Sequence, residues 1–213
     1  MPCHIVSWIC NFLTGRTHSV SFGGILSLWK SITASIVQGS GIGPCMYIVY
    51  ALDLKPISPA NVILKYADDT TLLVPQNSPT SLEEEFSHIL QWSSISKLKV
   101  NTLKTKEIVF HRPRLPKRTL PPLISGIERV TVAKILGVFF TSTLSPEQHI
   151  NHMIAVCNQR LYLLSQLKHQ NLSDQALDII FHALILSKIT YALPAFAGHI
   201  SITDKNRINK FFP

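Results

Sequence analysis

Residues 65–74 read KYADDTTLLV: two adjacent carboxylates, Asp68 and Asp69, set between the β-prone runs VILKYA and TTLLVP. That pattern predicts a β-hairpin with the acidic pair at a tight turn. Neighbouring negative charges repel, so the tip needs a reason. One reading is structural, because turn aspartates accept backbone hydrogen bonds and face water. The other is a divalent cation: hard carboxylate oxygens suit Mg²⁺, and the ion relieves the repulsion. Phosphoryl transfer by two metal ions needs such ligands on a rigid support, which a hairpin supplies.

Upstream of the hairpin lies QGSGIGP, residues 38–44, a loop whose missing side chains let backbone N–H groups approach a nucleotide or template strand. It reads equally as an ordinary flexible turn. Pro44 suits the first turn of a helix through CMYIVYALDLK, which Pro56, Ser58 and Pro59 break. Earlier still, Ile5, Trp8, Ile9 and Phe12 give a helical stripe that stops at Gly15. HSVSFGG and WKSITASIV predict a hairpin around Gly23 and Gly24.

Downstream, Ser81 followed by Glu84 spells a capping box for a helix running to about Lys97, with Leu82, Phe86, Ile89 and Leu90 on its apolar face. KLKVNTLKTKEIVF passes through a turn holding Lys104 into a strand. RPRLPKRTLPP is a basic, proline-rich loop, and KILGVFFT a further strand. After Pro146 the character changes. Ile150, Met153, Ile154, Cys157, Leu161, Leu164 and Leu167 predict one amphipathic helix. Ser173 caps a second, carrying Leu177, Ile180, Phe181, Leu184 and Ile185 and ending before Pro194; a third starts near Thr203. The fold class is α+β, with a mixed region over 1–144 and an all-helical region over 145–213.

The 213 residues are 46% hydrophobic and 15% charged, enough for a packed core. Lys and Arg number 20 against 12 Asp and Glu, a net charge of +8. Such a balance favours a polyanionic partner such as nucleic acid, although a basic soluble protein without one fits the charge as well. Cys3, Cys10, Cys45 and Cys157 have neither zinc-ligand spacing nor the look of a disulfide frame, so buried free thiols are expected. The longest apolar run, 45–52, is far short of the roughly 20 residues of a membrane span. The expectation is a soluble, intracellular chain with no membrane partner.

Taken in order, QGSGIGP, YADD, LKVNTLKTKEIVF and KILGVFF resemble the reverse transcriptase family, specifically the LINE-type enzymes of non-LTR retrotransposons. VSWICNFLTGRTHSVSF resembles the segment such enzymes carry before the glycine loop, and HINHMIAVCNQRLYLLSQL and ITYALPAF resemble their helical thumb. The resemblance implies RNA-directed DNA polymerase chemistry. It implies a partial palm over 1–144, an antiparallel sheet with packed helices, and a thumb-like region over 145–213. By the same resemblance Asp68 and Asp69 are the catalytic metal ligands, Asp68 the principal one, for Mg²⁺ or Mn²⁺. Tyr66 would lie near the primer end and incoming nucleotide; Gln38, Gly39 and Ser40 would contact template and nucleotide. Lys104 would sit near the nucleotide phosphates as a catalytic cation or proton donor. Plain strand packing for Tyr66 and a surface charge for Lys104 are the simpler readings. RNA template, DNA primer and deoxynucleoside triphosphates are the implied partners.

The family's further metal-binding aspartate lies on a Phe-Asp strand that has no counterpart here, since no acidic residue precedes Asp53. The fingers block has none either. The expectation is a chain truncated at its N-terminus, with the missing palm and fingers half as a partner. Little polymerase activity is expected alone, because such catalysis rests on positioning and charge compensation. A sheet cut in this way should leave Ile63, Leu72 and Val109 less covered. In HRPRLPKR, prolines hold Arg112, Arg114, Lys117 and Arg118 extended, suited to successive phosphates or simply to water. Arg160, Lys168 and Lys188 could grip a duplex. A non-catalytic nucleic-acid-binding or protein-interaction module is the alternative. A nucleotide cyclase is disfavoured by the glycine loop and the thumb-like helices.

Overall fold

The computed structural model describes residues 2–32, 39–112 and 120–212. Two compact units divide the chain, Met1–Lys99 and Val100–Pro213. Every described strand precedes residue 142, and the elements from Glu147 onward are all helical.

In the first unit, α1 (Cys3–Leu13) is followed by two very short ladders. β1 (Thr17–His18) pairs with β4 (Lys30–Ser31), and inside them β2 (Ser21–Phe22) pairs with β3 (Ile25–Leu26). Gly23 and Gly24 turn that inner pair at φ of +58° and +81°, as the sequence predicts. Next come α2 (Gly43–Tyr50), with Pro44 in its first turn, and the hairpin of β5 (Val62–Tyr66) and β6 (Asp69–Leu73). α3 (Leu82–Ile95) closes the unit, and its capping box is made as expected, with Ser81 and Glu84 exchanging hydrogen bonds.

This unit is organised around a polar centre. Ala51 and Leu54 are its buried apolar side chains among the described residues, whereas Glu85, on the first turns of α3, is fully buried. Its carboxylate accepts from the Ile57 and Ser58 amides (both 2.9 Å), Asn61 Nδ2 (2.7 Å) and Thr80 Oγ1 (3.0 Å). Burial pushes the carboxyl up, but these four donors together hold it below its ordinary value of 4.5. They also fix the loop over 57–61 that launches β5.

The second unit opens with a parallel pair, β7 (Lys106–Glu107) and β8 (Glu128–Arg129). Arg129 and Glu107 form a buried bidentate ion pair at 2.7 and 3.0 Å, and Arg129 also donates to the carbonyls of Pro121 and Pro122. KILGVFFT is not one strand but the end of β9 (Val132–Ile135) and the whole of β10 (Val138–Thr141), turned at Leu136–Gly137. Both turn residues have positive φ, the signature of a tight two-residue hairpin loop. A Cβ on Gly137 would also come within 3.3 Å of the Tyr191 ring, so glycine is required twice over. Tyr191 in turn donates to the Leu136 carbonyl at 2.7 Å.

α4 (Glu147–His169) and α5 (Asp174–Phe181, capped by Ser173) build the apolar core. α5 continues through a π turn at His182–Leu186 into α6 (Ser187–Thr190). Ile150, Met153, Cys157, Leu164, Ile185, Ile189, Phe196 and Ile208 are buried together. Phe196 comes from α7 (Leu193–Phe196) and Ile208 from α8 (Ile202–Asn209). The π turn has a sequence cause. Leu177, Phe181, Ile185 and Ile189 are spaced by four, and each such step drifts about 40° around an α-helix. One wider turn restores Ile189 to the core side. The stretch Asp174–His199 is long and apolar enough to cross a membrane, yet Ile185, Ile189 and Phe196 are spent on this core.

Several expectations are corrected here. Instead of one antiparallel palm sheet, the described strands form five separate two-stranded ladders, one of them parallel. EIVF contributes only Glu107 to a strand. Ile63, Leu72 and Val109 are half-buried, and the uncovered apolar residues of the hairpin are Val62, Leu64 and Leu73. These alternate with Ile63 and Leu72, so it is the opposite face of the hairpin that lacks cover. Among the thiols only Cys157 is buried, while Cys3, Cys10 and Cys45 are exposed.

Glu85→Ala would strand the two loop amides, and we expect it to destabilise the first unit by about 3 kcal/mol in urea unfolding. In the second unit His149 is 2% exposed between Phe139 and Phe196, and burial, followed by Lys188 and His152, pulls it below its ordinary 6.5. Below pH 6.5 the unfolded chain therefore binds more protons than the folded one, so stability falls as pH drops through that value. Chemical denaturation at pH 7.5 and 5 should show this loss, and His149→Leu should flatten it.

Candidate functional site

Tyr66 pairs directly with Asp69 across the hairpin, leaving Ala67 and Asp68 as a two-residue loop. Ala67 takes the left-handed conformation, φ +50°, that lets so short a loop close. Asp68 and Asp69 are both exposed at this tip, and Tyr66 is 67% exposed on the face that carries Asp69. The carboxylates therefore keep their oxygens available. Among the described residues no group of three or more His, Cys, Asp or Glu could hold a metal ion. The pair still fits Mg²⁺, which commonly takes one or two carboxylates and completes its shell with waters and substrate phosphates.

Two further residues join the tip, and neither was singled out from the sequence. Lys65, next to Tyr66, donates its ammonium to the carbonyls of Ala51 and, at 2.8 Å, Leu54, at the C-terminal end of α2. Burial pulls this ammonium below its ordinary value, with Asp53 opposing the shift and Lys55 adding to it. Tyr47 lies one turn before Ala51 on the same helix. Burial, then the charge of Asp68 and the nearby Tyr50, pushes its phenol above the ordinary 10. The Asp68 charge thus reaches α2. The signal for Lys65 was present in VILKYA: the lysine shares a strand face with the half-buried Ile63, although Lys65 itself is exposed.

Of the other sequence-predicted residues, Gly39 has φ +80°, which favours glycine, and Ser40 accepts from the Gly43 amide at 3.2 Å just before α2. Gln38 lies outside the described residues, as do Arg114, Lys117 and Arg118. Arg112 is exposed. Lys104 belongs to the second unit, exposed in a turn whose amides bond back to Asn101. Arg160 is engaged rather than displayed: its guanidinium donates to the Leu184 carbonyl inside the π turn. Lys188 is half-buried with its ammonium 5.9 Å from the Tyr191 ring, and Lys168 is exposed.

Comparison with known proteins supports the resemblance to the polymerases of non-LTR retrotransposons. The chain is 26% identical over 98% of its length to the RNA-directed DNA polymerase from mobile element jockey of Drosophila melanogaster. It is 28% identical over 72% of its length to the probable RNA-directed DNA polymerase from transposon BS of the same fly. With the Pol polyprotein of the type-1 retrotransposable element R1 of Bradysia coprophila it shares 25% identity over 86%. The chain spans about a quarter or less of these relatives, 24%, 18% and 19% respectively. No protein-family model matches it, and neither does any solved structure.

A left-handed alanine costs roughly 1–2 kcal/mol, which glycine avoids at the expense of some backbone entropy. Ala67→Gly should therefore raise the stability of the first unit by about 0.5 kcal/mol in urea unfolding, while Ala67→Val should lower it.

Proposed function

We propose, for a chain whose relatives are the RNA-directed DNA polymerases of non-LTR retrotransposons, that Asp68 and Asp69 hold the divalent cation of nucleotidyl transfer. What carries the reading is the exposed carboxylate pair on a rigid hairpin tip, in a chain similar along nearly its whole length to the jockey polymerase. Mg²⁺, or Mn²⁺ in its stead, would neutralise phosphate charge at that tip. Tyr66 offers an exposed ring on which a primer-end or incoming base can stack. Gln38, Gly39 and Ser40 approach template and nucleotide, and Gly39 has no side chain to hinder that approach. Lys104 balances charge on the departing pyrophosphate.

In this reading 1–144 is the palm portion and 145–213 the thumb-like portion, acting inside the cell without a membrane partner on RNA template, DNA primer and deoxynucleoside triphosphates. Arg112, Arg114, Lys117 and Arg118 follow the nucleic-acid backbone. The 213 residues carry no acidic side chain before Asp53 to share the ions with the tip. We therefore assign the chain little polymerase activity by itself, with the rest of the palm and the fingers as the partner that completes it.

A second reading, a non-catalytic nucleic-acid-binding module, is favoured by one observation: among the described residues no third metal-ligating side chain stands beside the pair.

Titration with Mn²⁺, followed by electron paramagnetic resonance, separates the two. The native chain should bind the ion, and Asp68→Asn should weaken binding at least about tenfold. Binding of an RNA–DNA hybrid that is indifferent to Mn²⁺ would select the module instead. Hybrid affinity should fall steeply as salt rises from 50 to 200 mM, as phosphate-tracking cations require. Primer extension by the purified chain, abolished by Asp68→Ala, would contradict the assignment of low activity.

A further inference from the structure

We propose that Lys65 is the positioning residue of the acidic tip, locking the hairpin to the helix that follows the glycine loop so that the two are held as one body. This rests on the metal reading of Asp68 and Asp69. The last carbonyls of α2 have no partners within the helix and need donors. Lys65 caps one of them, at Ala51, and with the same flexible cation reaching across from β5 also binds the Leu54 carbonyl in the segment just beyond the helix. A cation at a helix C-terminus is also favoured by the helix dipole. Both residues it meets are nearly inaccessible, at 6% and 4% exposure, so their carbonyls have little water to bond to, although Lys65 itself is exposed.

The same helix end is nailed from a second side. The Tyr50 hydroxyl donates to the Ser96 carbonyl just past α3, and Trp92 Nε1 on α3 donates to Asp53 Oδ1 at 3.0 Å. The end of α2 is thus a fixed post, held by α3, to which Lys65 fastens the hairpin only three residues before Asp68. The hairpin could otherwise shift against α2, because β5 and β6 have no further strand neighbour among the described residues. Gly39 and Ser40 precede the same helix, so a hairpin fastened to α2 keeps a constant relation to that loop's exit.

Lys65 touches no ligand; it acts by holding the residues that do. The deciding comparison uses the native chain, Lys65→Met, Lys65→Arg and Asp68→Asn. It reads Mn²⁺ affinity alongside amide hydrogen exchange in metal-free protein. Lys65→Met should weaken Mn²⁺ about tenfold, as losing a group that orients a metal ligand does. It should also speed exchange at Thr70–Leu73 and Tyr47–Ala51 together, while the amides held by Glu85 stay protected and show that the unit is folded. Lys65→Arg should restore most of both. Native Mn²⁺ binding with unchanged affinity and exchange in Lys65→Met overturns the positioning role alone. Loss of Glu85-linked protection in Lys65→Met, without recovery in Lys65→Arg, overturns it too, because the lysine then serves the fold as a whole. Failure of the native chain to bind Mn²⁺ overturns the metal reading, and the positioning role with it.

Discussion

Burying a carboxylate with no cation beside it costs several kcal/mol unless its oxygens are filled by donors. Glu85 is filled by two backbone amides, an amide side chain and a hydroxyl. This one group decides the geometry of the first unit. The donors come from residues 57 to 61 and from Thr80, so the chain can satisfy the charge only by bending there. The bend delivers β5 at a fixed place beside α3. With so few apolar side chains buried in this unit, hydrogen-bond geometry rather than hydrophobic burial sets where the hairpin stands. Directional bonds tolerate little displacement, so the acidic tip stands on a support of fixed geometry.

The second unit follows the opposite logic. Its helices meet through Ile150, Met153, Cys157, Ile185 and Ile189, and non-directional apolar packing carries the assembly. Its polar interactions lie outside that core. Arg129 ties Glu107 to the last two residues of the proline-rich loop, and Tyr191 fastens the β9–β10 turn. One chain therefore joins a unit with a polar centre and a unit with an oily one.

Local chemistry made much of this legible from sequence. The hairpin at Asp68, the glycine turn at 23–24, the Ser81–Glu84 box and the Ser173 cap all arise within a few residues, and each folds as its sequence requires. What escaped depends on distant partners. Glu85 stands last in an acidic run, Glu83–Glu85, and nothing local says that it is buried. The positive-φ pair Leu136–Gly137 hid a turn inside KILGVFFT, because the flanking residues are all β-prone. Arg160 looked like a free cation on a helix surface, and only the packing of α4 on the π turn shows its occupation. At the site itself, the acidic pair was visible and its fastening was not: Lys65 meets carbonyls 11 and 14 positions away.

The π turn between α5 and α6 works as a phase corrector. A helix whose oily residues recur strictly every fourth position would wind its stripe away from its neighbour, and the widened turn resets that phase once, near its middle. Three carbonyls around it are taken by side chains, Ala183 by Ser187, Leu184 by Arg160 and Leu186 by Thr190. The length of the segment is therefore as constrained as its composition. Relaxing 182–186 into ordinary α-helix at its present length would swing everything beyond it by about 100° and turn Ile189 out of the interior with every residue type unchanged, and only the loss of one residue there would cancel that swing.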